Sequence, residues 1–538
     1  MADRPAHATP AGAVASMPPP PELPPMPPPP VPVLARPAYV PKSARVALPP
    51  SVLPAVLAAA VVGAILIPLD RPGIGWLLAG ITCVVAVVVA DRKARAWGSR
   101  SAEAGEGSLH TAGLGEGSLH TAGLGEGSLH QAEPAPRNPS RARILWAALA
   151  LALLAVGTIR AAEWLFVFCV LAAAAAGSLA AVGPRSVKGL LYDVLAVPIE
   201  AFGGLAWLGR GTKKAQRKPS GATKRIASAV FVTLALLAVF VPLLSSADAT
   251  FAGVLKAAMP EVDGGNAVQW IFVFGLVGAA TAGALFVLAA PPRPAEAKAH
   301  KVLHRVEWAL PVGVLTLLFA GFVFAQLVAL FGGDAYVLRT SGLTYAEYAR
   351  GGFWQLSAIT VLTLGVIVIA LRWGSKETAR DRWWLRGVLT GLSLLTLVIV
   401  ASALSRMWTY QQAYGFTVLR LLVETCELWL GAVYLLMIAA IWKLDQTWLP
   451  RAAIGTAMGA LLALAVLDPE RFIADRNIDR MAEGYGIDSA YLSTLSADVL
   501  PAVERLPEPV RAAVRGPVRA GLGADSWQEF NFSRMAGR

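Results

Sequence analysis

Residues 144–182 read ILWAALALALLAVGTIRAAEWLFVFCVLAAAAAGSLAAV. Two apolar runs flank a short break, Arg160-Ala161-Ala162-Glu163. Each run approaches the length that crosses roughly 30 Å of hydrocarbon at 1.5 Å per residue. A chain that pairs such runs across so short a polar turn is folding in lipid, where only helices and closed barrels satisfy every backbone amide. Heavy Ala and Leu content selects helix. Arg160 and Glu163, spaced three apart in the turn, are expected to form a local ion pair.

Working outward, similar runs lie near 51–68, 74–90, 227–244, 268–290, 309–330, 353–371, 387–404, 421–442 and 452–467. With 144–159 and 164–182 they predict an all-α integral membrane protein, a bundle of about eleven transmembrane helices with a small helical C-terminal tail. Composition agrees: 56% of the 538 residues are apolar and 15% charged, against about 25% charged in soluble domains. The formal charge of +12 then points to topology and lipid headgroups, and nucleic acid is not an expected partner.

Residues 1–48 are dominated by Pro and Ala and read as a disordered cytoplasmic arm, since proline lacks the amide donor and favours extended backbone. Residues 51–90 form a two-helix membrane hairpin. Residues 91–143 are a loop carrying GEGSLHTAGL at 105–114 and 115–124, then GEGSLH at 125–130. Its Gly and Ser content predicts flexibility, and its His110, His120 and His130 fit a tandem duplication better than a metal site. The main membrane domain is 144–467.

Lys and Arg in alternating connections number 31 on one side and 7 on the other, the tail excluded. The positive-inside rule places the N-terminus in the cytoplasm and, with an odd number of spans, the C-terminus outside. The bilayer is the first partner, and anionic lipids are expected at the basic loops. Residues 186–209 are apolar but interrupted by Asp193, Pro198, Glu200 and Gly203-Gly204. They read as an interfacial helix on the cytoplasmic leaflet. The tail, 468–538, is expected to begin with Asp468 as a helix cap before Pro469, with further helices from Ser496 and over 508–520. It offers a surface for an envelope protein partner.

Chemistry-bearing signals are few. Cys83, Cys169 and Cys426 form no CxxC pair, which argues against a zinc ribbon or redox dithiol. GxxxxGK[ST], HExxH and GxSxG are absent from the sequence. His300 and His304 share a helix face but have no third ligand placed beside them, and no metal or cofactor is predicted. Two segments before and between spans concentrate Arg and Tyr: Arg339, Tyr345, Tyr348 and Arg350 in the first, Arg406, Tyr410, Tyr414 and Arg420 in the second. Thr344 and Glu347 have the spacing of a capping box. The planar guanidinium fork suits an anionic headgroup or solute, so the eight residues form a candidate outer-face anion site. Glu424 and Glu427 lie on one helix face inside a span, where carboxylates are costly and mark proton or cation paths by default. Their alternative is pairing with Arg420 or Arg406.

FGGDAYV (331–337), GLTYAEYARGGF (342–353), LSRMWTYQQAYGFTVLRL (404–421), NIDR (477–480), LSADVLPAV (495–503) and DSWQEFNFSR (525–534) together resemble a bacterial multi-pass membrane family, domain of unknown function 4173. The resemblance implies a polytopic protein of the bacterial plasma membrane over roughly residues 140 to 538, and brings no activity, cofactor or catalytic residue. The expected function is a non-enzymatic envelope-associated, sensory or regulatory component. A proton- or cation-coupled transporter, resting on the carboxylates, and an outer-face enzyme acting on a lipid-linked or anionic substrate, resting on the Arg–Tyr segments, are the alternatives.

Overall fold

In the computed structural model the described residues are 47–111, 141–183, 189–215, 264–290, 302–341 and 353–538. The membrane helices are α1 (Val52–Leu66), α2 (Ile74–Thr111), α3 (Arg141–Ile159), α4 (Glu163–Val182), α5 (Leu190–Ala215), α6 (Gly264–Ala289), α7 (Arg305–Ser341), α8 (Phe353–Trp373), α9 (Ala379–Tyr414), α10 (Val418–Lys443) and α11 (Leu449–Leu467). Ten of these, all but α1, are long and apolar enough to cross a membrane. The protein is an all-α polytopic membrane protein. The span expected at 227–244, the Thr344–Glu347 capping box, His300 and most of the decamer repeat lie outside the described residues.

Local signals account for the helix boundaries. Thr378 and Asp381 close a reciprocal capping box at the start of α9, which satisfies two orphan amides. Thr417 accepts from the Arg420 amide to start α10. Helix α2 continues to Thr111, well past the hydrophobic run and into the expected loop. The intervening Asp91–Glu103 stretch is rich in Arg and Ala, good helix formers that an apolar run does not reveal. Helices α7 and α9 likewise outrun their apolar cores.

Contacts sort the helix termini into two ends. At the first, Ser51 donates to the Ala90 carbonyl, Arg305 pairs with Asp381, Arg386 donates to the Trp442 carbonyl and Arg451 to the Gly183 carbonyl. This end, with Arg92, Lys93 and Arg95 just past it, is the basic end. The loops at Pro68–Gly73 and Arg160–Ala162, and the α9–α10 turn, gather at the other end with the tail. Each of α1–α4 and α6–α11 runs between the two. Helix α1 does so with 15 residues, too few for the length criterion the longer helices meet.

Helix α5 differs. Its first turns lie against the end of α4, where Ser178 donates to the Asp193 carbonyl and receives the Val197 amide, and Asp193 pairs with Arg451 of α11. Its last turns, at Trp207 and Leu208, share a core with Val52 and Ala90. Both of its termini therefore meet the basic end. Its middle crosses α6 with almost no separation: a Cβ on Gly283 would lie 2.6 Å from the Val197 carbonyl oxygen, and one on Gly204 2.6 Å from that of Ala282. Gly283→Val is expected to cost about 1–3 kcal/mol, because backbone is what would have to move. A fall in the unfolding midpoint in detergent, beside no fall for Gly387→Ala, where a Cβ meets nothing and helix propensity favours Ala, checks this.

The tail carries α12 (Pro469–Ala482), α13 (Ser489–Ser493), α14 (Leu500–Val503), α15 (Val510–Ala520) and α16 (Phe532–Gly537). It has no core of its own. Ile473, Val499 and Val503 belong to the same buried cluster as Leu153 and Leu165 of α3 and α4. Arg160 is not paired with Glu163 as expected. It bonds Asp468, at 2.5 Å, and the Ala465 carbonyl, at 2.7 Å. The last carbonyls of α11 carry the negative end of that helix dipole and draw the guanidinium away from its sequence neighbour.

Candidate functional site

Of the eight Arg and Tyr residues singled out from sequence, Tyr345, Tyr348 and Arg350 lie outside the described residues, and of Arg339 the backbone alone, in α7, is described. The other four flank the α9–α10 turn. The Arg420 guanidinium stacks on the Tyr410 ring, 4.6 Å from its centroid, and Tyr410 stacks on Tyr414 at 4.8 Å. Arg420 also donates to the carbonyls of Tyr414 and Gly415. From the tail, Arg480 donates to those of Gln412, at 2.6 Å, and Ala413, at 2.9 Å. Together the two arginines cap the C-terminus of α9, where four carbonyls lack helical partners. Arg406 faces elsewhere, bonding Gln326 of α7 at 3.1 Å. The structure thus joins Tyr410, Tyr414 and Arg420 in one cluster and sets Arg406 against another helix.

Gly415 takes φ +86°, a left-handed conformation that glycine adopts at no steric cost. The next residue, Phe416, exchanges two backbone hydrogen bonds with the Asn477 amide, and the Val418 amide donates to the Tyr491 hydroxyl. The AYGFT and NIDR signatures therefore recognise each other across the membrane–tail junction.

One turn below, the bundle interior is polar. Gln411 of α9 is 0% exposed and donates to Glu424 of α10 at 3.0 Å. Among the described contacts Arg420 and Arg406 have other partners, Tyr410 and Gln326, rather than the carboxylates of the alternative drawn from sequence. Glu427, 2% exposed, sits beside the Ser357 hydroxyl of α8. One Glu427 oxygen, Oε2, and the Gln411 carbonyl oxygen are buried with no hydrogen-bond partner among the described residues. Further in, the Tyr434 hydroxyl donates to the Thr360 carbonyl at 2.6 Å, beside buried Thr396. A polar seam thus runs between α8, α9 and α10 from the tail end towards the middle. Gln411, Ser357, Thr360 and Tyr434 give no sequence signal, since isolated hydroxyls and amides are common in membrane helices. A buried carboxylate with an open valence holds a proton or a bound cation, because an unpaired charge there is costly.

A second acidic group lies at the tail junction, outside the spans. Burial and the nearby Asp498 carboxylate push the Asp468 carboxyl up to about 6, outweighing the Arg160 and Arg471 guanidinium groups beside it. Its folded value exceeds the unfolded one, so its contribution is fully present below about pH 4 and lost as pH rises through 6. The unfolding midpoint is expected to be higher at pH 5 than at pH 8. Asp468→Asn is expected to flatten that difference, and an undiminished slope in this variant would remove Asp468 as its source.

The described residues contain no group of three or more His, Cys, Asp or Glu side chains placed to hold a metal ion. Neither curated proteins nor solved structures give a match. A family model matches residues 148–506, from the middle of α3 through the tail helix α14, and so takes in both the polar seam and most of the junction. Its number is 4153, not the 4173 that the signature pieces resemble, and what the two share is a domain of unknown function. On that match over about two thirds of its length, the chain belongs to the family described as Domain of unknown function (DUF4153).

Proposed function

We propose that the protein is a proton-coupled carrier of the bacterial plasma membrane, with Glu427 as the group that takes up and releases the proton. The observation that carries this is the Glu427 carboxyl, buried beside Ser357 of α8 with one oxygen unpartnered among the described residues. Ser357, Gln411 and Glu424 supply hydroxyl, amide and carboxylate neighbours through which a proton moves towards the tail end. The basic end lies in the cytoplasm and the tail outside, on the charge asymmetry of the connections. The test is proton and sodium flux in sealed proteoliposomes under an imposed gradient. Proton flux above protein-free vesicles supports the carrier, sodium flux alone reassigns Glu427 to a cation, and neither flux under any gradient overturns it.

A second reading, an envelope component presenting its tail to a protein partner, is favoured by one specific observation. The tail is fixed to the bundle by buried side chains, among them Asn531, which donates to the carbonyls of Gly157 and Arg160. Such a cap is a rigid surface. Crosslinking from exposed Trp527 in intact cells separates this reading from transport. The outer-face enzyme draws less support, because the Arg420 donors already serve the end of α9.

A further inference from the structure

Helix α5 turns its apolar side outward. Leu191, Leu195, Ile199, Phe202 and Leu205 recur at spacings of three and four, which is one stripe of a helix. All five are exposed, Leu191 to 83% and Phe202 to 81%. The opposite face is buried and holds the charge: Asp193 pairs with Arg451, and the Glu200 carboxylate accepts from the Tyr192 hydroxyl. A helix facing water shows the reverse order, so the outward stripe meets an apolar medium.

The contacts fix the level of that stripe. Helix α5 touches α4 at Ser178 and α6 at Gly283 and Phe286, which lie within the last two turns of helices that end at Val182 and Ala289. Both termini of α5 stay at that level, since its 26 residues start beside Arg451 and finish beside Leu48. The helix lies along the flank of the bundle, roughly 5–9 Å inside the basic end. Exposed Arg210 lies near its end, followed in sequence by Lys213 and Lys214.

We propose that α5 is an in-plane belt whose outward stripe rests among the acyl chains of an anionic leaflet at the basic end, without crossing the membrane. Length and hydropathy alone would count it as a span. An interfacial helix buries its apolar face just below the headgroups and gains attraction from basic residues at its edge. The occupant of the stripe is lipid because a flank at the level of the neighbouring helix ends is where acyl chains begin. The belt is independent of the role given to Glu427.

The test uses the full chain in nanodiscs of phosphatidylethanolamine and phosphatidylglycerol, with Phe202 replaced by the photoreactive p-benzoylphenylalanine. Illumination is expected to add the mass of one phospholipid to the peptide containing position 202. The yield is expected to fall when phosphatidylcholine replaces phosphatidylglycerol. A crosslinked dimer, meaning that a second copy covers the stripe, or recovery with no adduct, meaning water, overturns the belt. Equal yields in the two lipids overturn its preference for anionic lipid. A second measurement places the termini: Leu191→Cys and Leu205→Cys, each in a chain with Cys83, Cys169 and Cys426 changed to Ala, carry a bimane probe in sealed, uniformly oriented vesicles. External iodide is expected to treat both probes alike, and quenching of one alone would show a crossing and overturn the proposal.

Discussion

Asp498→Ala is expected to destabilise the chain by roughly 2–6 kcal/mol. Asp498 is 2% exposed and accepts the amides of Ala161, at 3.2 and 3.0 Å, and Ala162, at 3.0 Å. Those amides belong to the two residues just before the first turn of α4, which begins at Glu163, and no helical carbonyl precedes them to satisfy them. The carboxylate of a tail residue therefore caps the chain where it enters a membrane helix. Removing it strands two buried amides at about 1–3 kcal/mol each and takes a negative charge from the positive end of the α4 dipole. Asp488→Ala is the control: Asp488 also caps a helix, accepting the Tyr491 amide at 2.8 Å, but on an exposed surface, where about 1 kcal/mol is the usual loss. Unfolding of the detergent-solubilised chain, followed by tryptophan fluorescence, compares the two. Equal effects would mean that the tail does not hold α4.

That cap also shows where sequence reasoning stops. The apolar runs at 144–159 and 164–182 became α3 and α4 with ends shifted by at most a few residues, because the length of hydrocarbon crossed and the charges that end it are local properties. The polar extensions of α2, α7 and α9 escaped, since a helix continues on propensity after its hydropathy has fallen. Glu424 and Glu427 stood out because a carboxylate within an apolar run is rare. Their partners did not: Gln411 and Ser357 arrive on other helices, and nothing in either segment encodes the meeting. The same holds for Asn477 on Phe416 and for Asp498 on Ala161, which depend on how the tail folds back over the bundle. Arg420 was legible as important but not as a cap, because the carbonyls it serves belong to the preceding helix. Asp193 and Glu200, read as marks against a spanning helix, line the inner side of α5, and that the apolar face would turn outward was not legible from them.

Glu427→Gln is expected to reduce proton flux in proteoliposomes to the level of protein-free vesicles while the folded protein remains. The amide has nearly the same shape and no titratable proton. A carboxylate that served only to hold α8 and α10 together would give a different pattern. Breaking a buried charged contact destabilises by about 3–5 kcal/mol, and abundance and unfolding midpoint would fall with activity. Glu427 has no charged partner among the described residues and leaves one oxygen unbonded, so the isosteric amide is expected to change stability by no more than about 1 kcal/mol. Glu427→Asp keeps the proton but retracts it from Ser357 by one methylene, and is expected to leave slow flux with an altered pH profile. Glu424→Gln is expected to be milder, because Glu424 already accepts from Gln411 and stands nearer the tail end. Loss of flux in Glu427→Gln with the midpoint intact separates a proton carrier from a structural acid, and full flux in that variant would exclude Glu427 from the path.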